Sequence, residues 1–161
     1  MRVVLSLVAV FFGVYLQISI HKSISWTPDF LLIMVIYTGF SQGEIKGSWA
    51  GFLFGVLVDV FSGGLIGINA ASKTIVGWLC GRIYYRYEHS FLFLMPVFFL
   101  ITLLDNLLIW LICWLISYPV TSLGFLKVLG ISLVNGLAGS ILVMVFGTAP
   151  RRGHGEFKRL I

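Results

Sequence analysis

The feature that most constrains this chain is the length of its uncharged apolar runs. Residues 91–116 read FLFLMPVFFLITLLDNLLIWLICWLI, a stretch of 26 positions broken by one charged residue, Asp105. A water-soluble domain of 161 residues has too little interior to hide several such runs, because small folds keep a high surface-to-volume ratio. A bilayer core about 30 Å thick is crossed by about 20 apolar residues in a helix, which satisfies its own backbone polar groups. Composition agrees: 11% of the residues are charged, against about 25% in soluble domains. Aromatic rings make up 16% and suit lipid and the bilayer interface.

Apolar runs divide the chain into six expected spans forming an all-α polytopic membrane domain over residues 1–149, followed by a basic tail at 150–161. Run 3–20 is read as a retained first helix. It is longer than the h-region of a signal peptide, and no small-x-small cleavage site closes it. His21, Lys22, Ser23 and Ser25 mark a polar turn, after which Trp26, Pro28 and Asp29 lead into a short second segment, 30–40. Pro fits a first helical turn, and a carboxylate favours the positive end of the helix dipole. If this segment inserts only partway, the count is five. The polar connection 41–46 (SQGEIK) precedes a third helix at 47–61, and Ser62-Gly63-Gly64 interrupts it, adjacent glycines favouring a turn. The fourth helix covers 65–84, the fifth 91–116 with Pro96 in its first turns, and the sixth 123–147.

The net charge of +5 reports orientation rather than nucleic-acid binding, since the basic residues gather at helix ends and not on one soluble face. With six spans and both termini inside, the cytoplasmic side holds Arg2, Lys46, Arg82, Arg86, Arg151, Arg152, Lys158 and Arg159, and the outside holds Lys22. The tail either fixes topology or binds anionic headgroups, at about 1 kcal/mol per basic residue.

Two constellations stand out. One is a four-residue ladder: Gly47, Gly51, Gly55, Asp59, Gly63, Gly67. Helices associate in lipid by close backbone packing, and small residues at i, i+4 permit it. The ladder therefore serves packing within the chain or docking of a partner helix. The other is polar: Asp59, Ser62, Asn69, Lys73, Asp105, Asn106, Lys127 and Asn135 lie in or beside apolar segments. A charge at the bilayer centre costs at least about 2.5 kcal/mol, so each needs a partner or water. The spacing predicts an Asp59–Lys73 pair across the glycine turn. The cluster reads as a structural clamp, a ligand or ion site, or a partner contact. Cys80 and Cys113 lie in apolar runs and read as small buried hydrophobes, without metal or disulfide spacing.

Enzyme chemistry finds little footing. There is no His-Glu-x-x-His, no phosphate-cradling Gly-Lys-Ser/Thr, and the three histidines, His21, His89 and His154, lie in loops or the tail. Ser62 has no intramembrane histidine to activate it. No cofactor is expected.

Pro28-Asp29-Phe30-Leu31, then Gly51-x-x-x-Gly55-x-x-x-Asp59-x-x-Ser62-Gly63-x-x-x-Gly67, then Asp105 and Asn135-Gly136, together resemble the MreD family of rod shape-determining proteins. Lys73 is not part of that pattern. The resemblance implies a non-catalytic scaffold in the bacterial inner membrane. Its implied partner is MreC, near RodA, a class B penicillin-binding protein and MreB, in support of lateral peptidoglycan synthesis. It also implies a fold like the six-helix substrate-binding subunits of energy-coupling-factor transporters. The competing reading is a transporter subunit binding a vitamin-type molecule around Asp59, Lys73 and Asp105. A scaffold lets its polar groups satisfy one another, whereas a transporter leaves several convergent and unpaired.

Overall fold

The computed structural model describes residues 27–63, 65–83, 91–119 and 124–146, and all regular structure among them is helical. Five helices follow in order: α1 Phe30–Gln42, α2 Glu44–Ser62, α3 Ile68–Ile83, α4 Phe91–Leu115 and α5 Phe125–Phe146. Three stretches, Glu44–Ser62, Phe93–Leu115 and Phe125–Val145, are long and apolar enough to cross a membrane. The expected first segment at 3–20, the loop carrying Arg86, Glu88 and His89, and the basic tail lie outside the described residues.

Two boundaries differ from the sequence expectation. The expected polar connection 41–46 shrinks to Gly43 alone. Gly43 adopts φ +89° and donates its N–H to the Gly39 carbonyl, ending α1 while Glu44 already lies in the first turn of α2. A carboxylate there suits the helix dipole, so the polar residues extend α2. At the other turn, α3 starts at Ile68 rather than at 65. Gly63 ends α2 in the left-handed region (φ +71°) and Gly67 sits at φ +113°, conformations that side-chain-bearing residues avoid.

Helices α1, α2 and α3 form a tight trio. A Cβ on Gly47 would fall on the Gly77 carbonyl oxygen and within 2.8 Å of the Gly39 Cα, so one glycine from each helix meets near a single point. On either side, Gly51 abuts the Lys73 carbonyl, Gly55 the backbone of Asn69 and Ala70, and Gly81 the backbone of Glu44. The three expected rungs Gly47, Gly51 and Gly55 of α2 are thus buried against α3 and are occupied within the chain. Helices α4 and α5 form a hairpin in which the Phe98 ring covers the place a Cβ on Gly139 would need. The halves meet over apolar side chains, Ile36, Phe40 and Val76 of the trio with Leu94, Phe98 and Val143 of the hairpin. Phe40 meets Phe98 edge-on at 6.1 Å.

Outside this core, large apolar residues such as Trp49, Leu53, Leu107, Trp114 and Leu126 are exposed. In lipid this is the expected exterior. Hydroxyl side chains along the helices return to their own backbone: Thr74 donates to the Ala70 carbonyl, Thr102 to Phe98 and Ser140 to Gly136. Each satisfies itself four residues back, the local solution open to Ser and Thr where water is absent.

Candidate functional site

The polar residues form two separate assemblies. The first is built on Asp59, in the last turn of α2. Its carboxylate accepts from the backbone N–H of Gly67 (2.8 Å), Asn69 (3.1 Å) and Ala70 (3.1 Å), and from Asn69 Nδ2 (2.9 Å). The first N–H groups of a helix have no partner inside it and carry the positive end of its dipole. Asp59 therefore caps α3 from the preceding helix, with Gly67 bent so that its N–H joins the set. Ser62 Oγ donates to the Asp59 carbonyl and closes the last turn of α2. In physical terms, Asp-x-x-Ser-Gly-x-x-x-Gly is a code for a tight helical hairpin. An Asp59→Ala variant leaves these donors unpaired and should lose about 2 kcal/mol in a chemical unfolding titration in micelles. Unchanged stability would show the cap to be dispensable.

This arrangement corrects the expected Asp59–Lys73 pair. The expectation counted side-chain charges across a hairpin and ignored the backbone donors at the start of α3, which lie nearer and are equally in need of a partner. Lys73 instead serves the second assembly. Its Nζ donates to Asp29 Oδ2 at 3.1 Å and to Asp105 Oδ2 at 3.0 Å. Asp105 also accepts from Ser72 Oγ through its other oxygen. Asp29 caps α1, accepting the Leu32 N–H through Oδ1 (3.0 Å). Asn135 of α5 accepts the Asp29 N–H at 2.7 Å and donates to Thr102 Oγ1 at 3.3 Å.

Three helices thus converge on one ammonium, and Asn135 ties α5 to the cluster through the Asp29 N–H. Two carboxylates against one lysine leave a formal charge of −1, which the N-terminus of α1 offsets with about half a positive charge. Lys73 and Asp105 are enclosed, whereas the Asp29 side chain is 27% exposed, so the node is open on one side. Among the described residues, no buried side-chain nitrogen or oxygen lacks a partner, and no group of acidic, Cys and His residues is placed to hold a metal ion.

The family model for the rod shape-determining protein MreD matches residues 1–146, which takes in every described helix. The chain belongs to the MreD family. Rod shape determination at a membrane is the role this membership carries, and the three membrane-competent helices agree with the setting. No curated protein and no solved structure matches the chain.

Of the residues singled out in this MreD-family sequence, Asp59, Ser62 and Asn69 fall into the hairpin cap, and Lys73, Asp105 and Asn135 into the node. Gly63 and Gly67 shape the turn between α2 and α3. Asn106 turns back to its own helix, donating to the Thr102 carbonyl at 2.9 Å. Lys127 sits in the first turn of α5 and shares no hydrogen bond with the node among the described residues. Sequence reasoning assigned Asp29 to the helix dipole and missed it as a ligand of Lys73, and it missed Ser72 and Thr102. The usable signal for Asp29 was a Pro-Asp pair heading an apolar helix too short to span.

Proposed function

We propose that this chain is a non-catalytic membrane scaffold of the elongation machinery, which holds MreC and so supports lateral peptidoglycan synthesis and rod shape. Single-sided docking of a bitopic partner needs a stable multi-helix body and a lipid-facing surface, and no reactive group. The proposed body is a single domain over residues 1–149 with six spans, run 3–20 supplying the first, and with both termini and the basic tail at 150–161 on the cytoplasmic side. RodA, a class B penicillin-binding protein and MreB are proposed as wider members of the assembly.

The observation that carries the reading is the internal satisfaction of the polar groups, read together with the family match. Lys73, Asp29, Asp105 and Asn135 satisfy one another, and Asp59 is consumed by backbone donors. A transporter subunit would keep such groups convergent and unpaired for its ligand. Because the glycine ladder is buried between α2 and α3, docking is assigned to the lipid-facing surfaces instead, such as that bearing Leu107 and Trp114 of α4.

The test is replacement of the resident MreD-family protein of a rod-shaped bacterium by this chain, with purification in mild detergent and mass spectrometry of what comes with it. Rods, together with co-purified MreC, are expected. Spherical cells, or a tightly bound vitamin-type molecule in place of MreC, would overturn the reading.

A further inference from the structure

The seam between the trio α1–α3 and the hairpin α4–α5 is crossed by two kinds of contact. One is the apolar core around Phe40 and Phe98, whose parts interlock. The other is the node, where Lys73 and Ser72 of α3 hold Asp105 of α4, and Asn135 of α5 holds the Asp29 N–H. Within each half, by contrast, backbones or rings meet directly at glycines.

The node has an asymmetry that a simple clamp does not need. Lys73 and Asn135, which cross the seam, each keep a second partner on their own side, whereas Asp105 takes both Lys73 and Ser72 from across it. Lys73 bonds Asp105 across the seam and Asp29 within the trio. Asn135 bonds Asp29 across the seam and Thr102 within the hairpin. If the halves part at this level, the ammonium remains paired with Asp29 and the amide with Thr102. A buried charge stripped of all partners costs several kcal/mol, and this arrangement avoids that outcome for the lysine. The Asp29 side chain keeps 27% of its surface uncovered in this arrangement.

We propose that the Asp29–Lys73–Asp105 node is a latch: Lys73 is shared between a fixed carboxylate and a movable one, and its exchange between them lets the α4–α5 hairpin swing at the seam while the glycine-packed trio stays rigid. The bistable element is the seam, and the group that changes partner is the ammonium. Small shifts of packed helices of about 1–2 Å are the usual scale of such transitions. The inference rests on the geometry of the seam and is independent of the shape-determination reading.

The latch makes the two carboxylates unequal in their effect on the seam: losing the Asp105 charge frees it and losing the Asp29 charge does not. The experiment measures distances between spin labels in the full chain in lipid nanodiscs, with Cys80→Ala and Cys113→Ala removing the native thiols. One pair, Leu53→Cys with Leu107→Cys, spans the seam; a second, Leu53→Cys with Ile75→Cys, lies within the trio. All three sites face outward. Asp105→Asn should lengthen or broaden the seam distance by about 2 Å or more and leave the trio distance unchanged. Asp29→Asn should leave the seam distance as it is or narrow it, because Lys73 then belongs wholly to Asp105. If Asp105→Asn is not recovered folded, Ser72→Ala takes its place, keeping all three charges while loosening Asp105, with the same outcome expected. Equal widening by Asp29→Asn and Asp105→Asn, joint widening of both label pairs, or no change in a folded seam variant would each overturn the latch.

Discussion

Lys73→Met should lower the stability of the micelle-solubilised protein by about 3–5 kcal/mol, the usual cost of removing one partner of a buried ion pair. Asp29 and Asp105 would be left approaching the same empty place, and Asp105 has little exposure through which water could reach it. The loss should appear in a chemical unfolding titration as an earlier midpoint, and in cells as round forms or as missing protein. The combined variant Asp29→Asn, Lys73→Met, Asp105→Asn is the informative partner. It removes the charges together, and buried ion pairs exchanged wholesale for neutral groups are often neutral to stability. It should recover to within about 1.5 kcal/mol of the parent. If Lys73→Met alone is as stable as the parent, the node does not hold the fold.

The second large effect is expected at Gly51. A Cβ there would land on the carbonyl oxygen and carbon of Lys73, and both are backbone atoms that cannot rotate aside. Gly51→Ala must therefore push α2 and α3 apart, at about 1–3 kcal/mol, and Gly51→Leu more. The displaced backbone belongs to the residue that carries the node's ammonium. Gly51→Ala and Asp105→Asn should consequently be non-additive by more than about 0.5 kcal/mol in a double-mutant cycle. Gly124→Ala is the control, because nothing lies within 4 Å of its added methyl; it should stay within about 0.5 kcal/mol of the parent. Strict additivity would disconnect the glycine packing from the charged cluster.

Helix existence was legible because an apolar run in lipid has one good backbone solution, and the five described helices fall within or close to the expected runs. Their ends were less so. The residues at 41–46 are polar, yet they continue the helices, since Gln42 and Glu44 lie in terminal turns where backbone conformation and dipole decide and polarity does not. The ladder at Gly47, Gly51 and Gly55 announced a close approach, because small residues at i, i+4 have few other uses in a membrane helix. It did not announce its partner, which is a backbone and so leaves no mark in side-chain identity. Asp59 went astray for the same reason: three of its four partners are backbone N–H groups, which leave no mark in side-chain identity. Lys73 demanded a carboxylate, and two stood far away in sequence, at 29 and 105. Only the assembled fold selects them over Asp59.

The helices are of unequal height. At about 1.5 Å per residue, the 16 residues of α3 rise about 24 Å and the 25 of α4 about 37 Å. Ile75 and Trp78 of α3 and Leu107 and Trp114 of α4 all face outward. Among the described residues, lipid against α3 therefore meets a shorter apolar rod than lipid against α4. Either α4 leans over or the surrounding leaflets grade in thickness, at a fraction of a kcal/mol per ångström of mismatch.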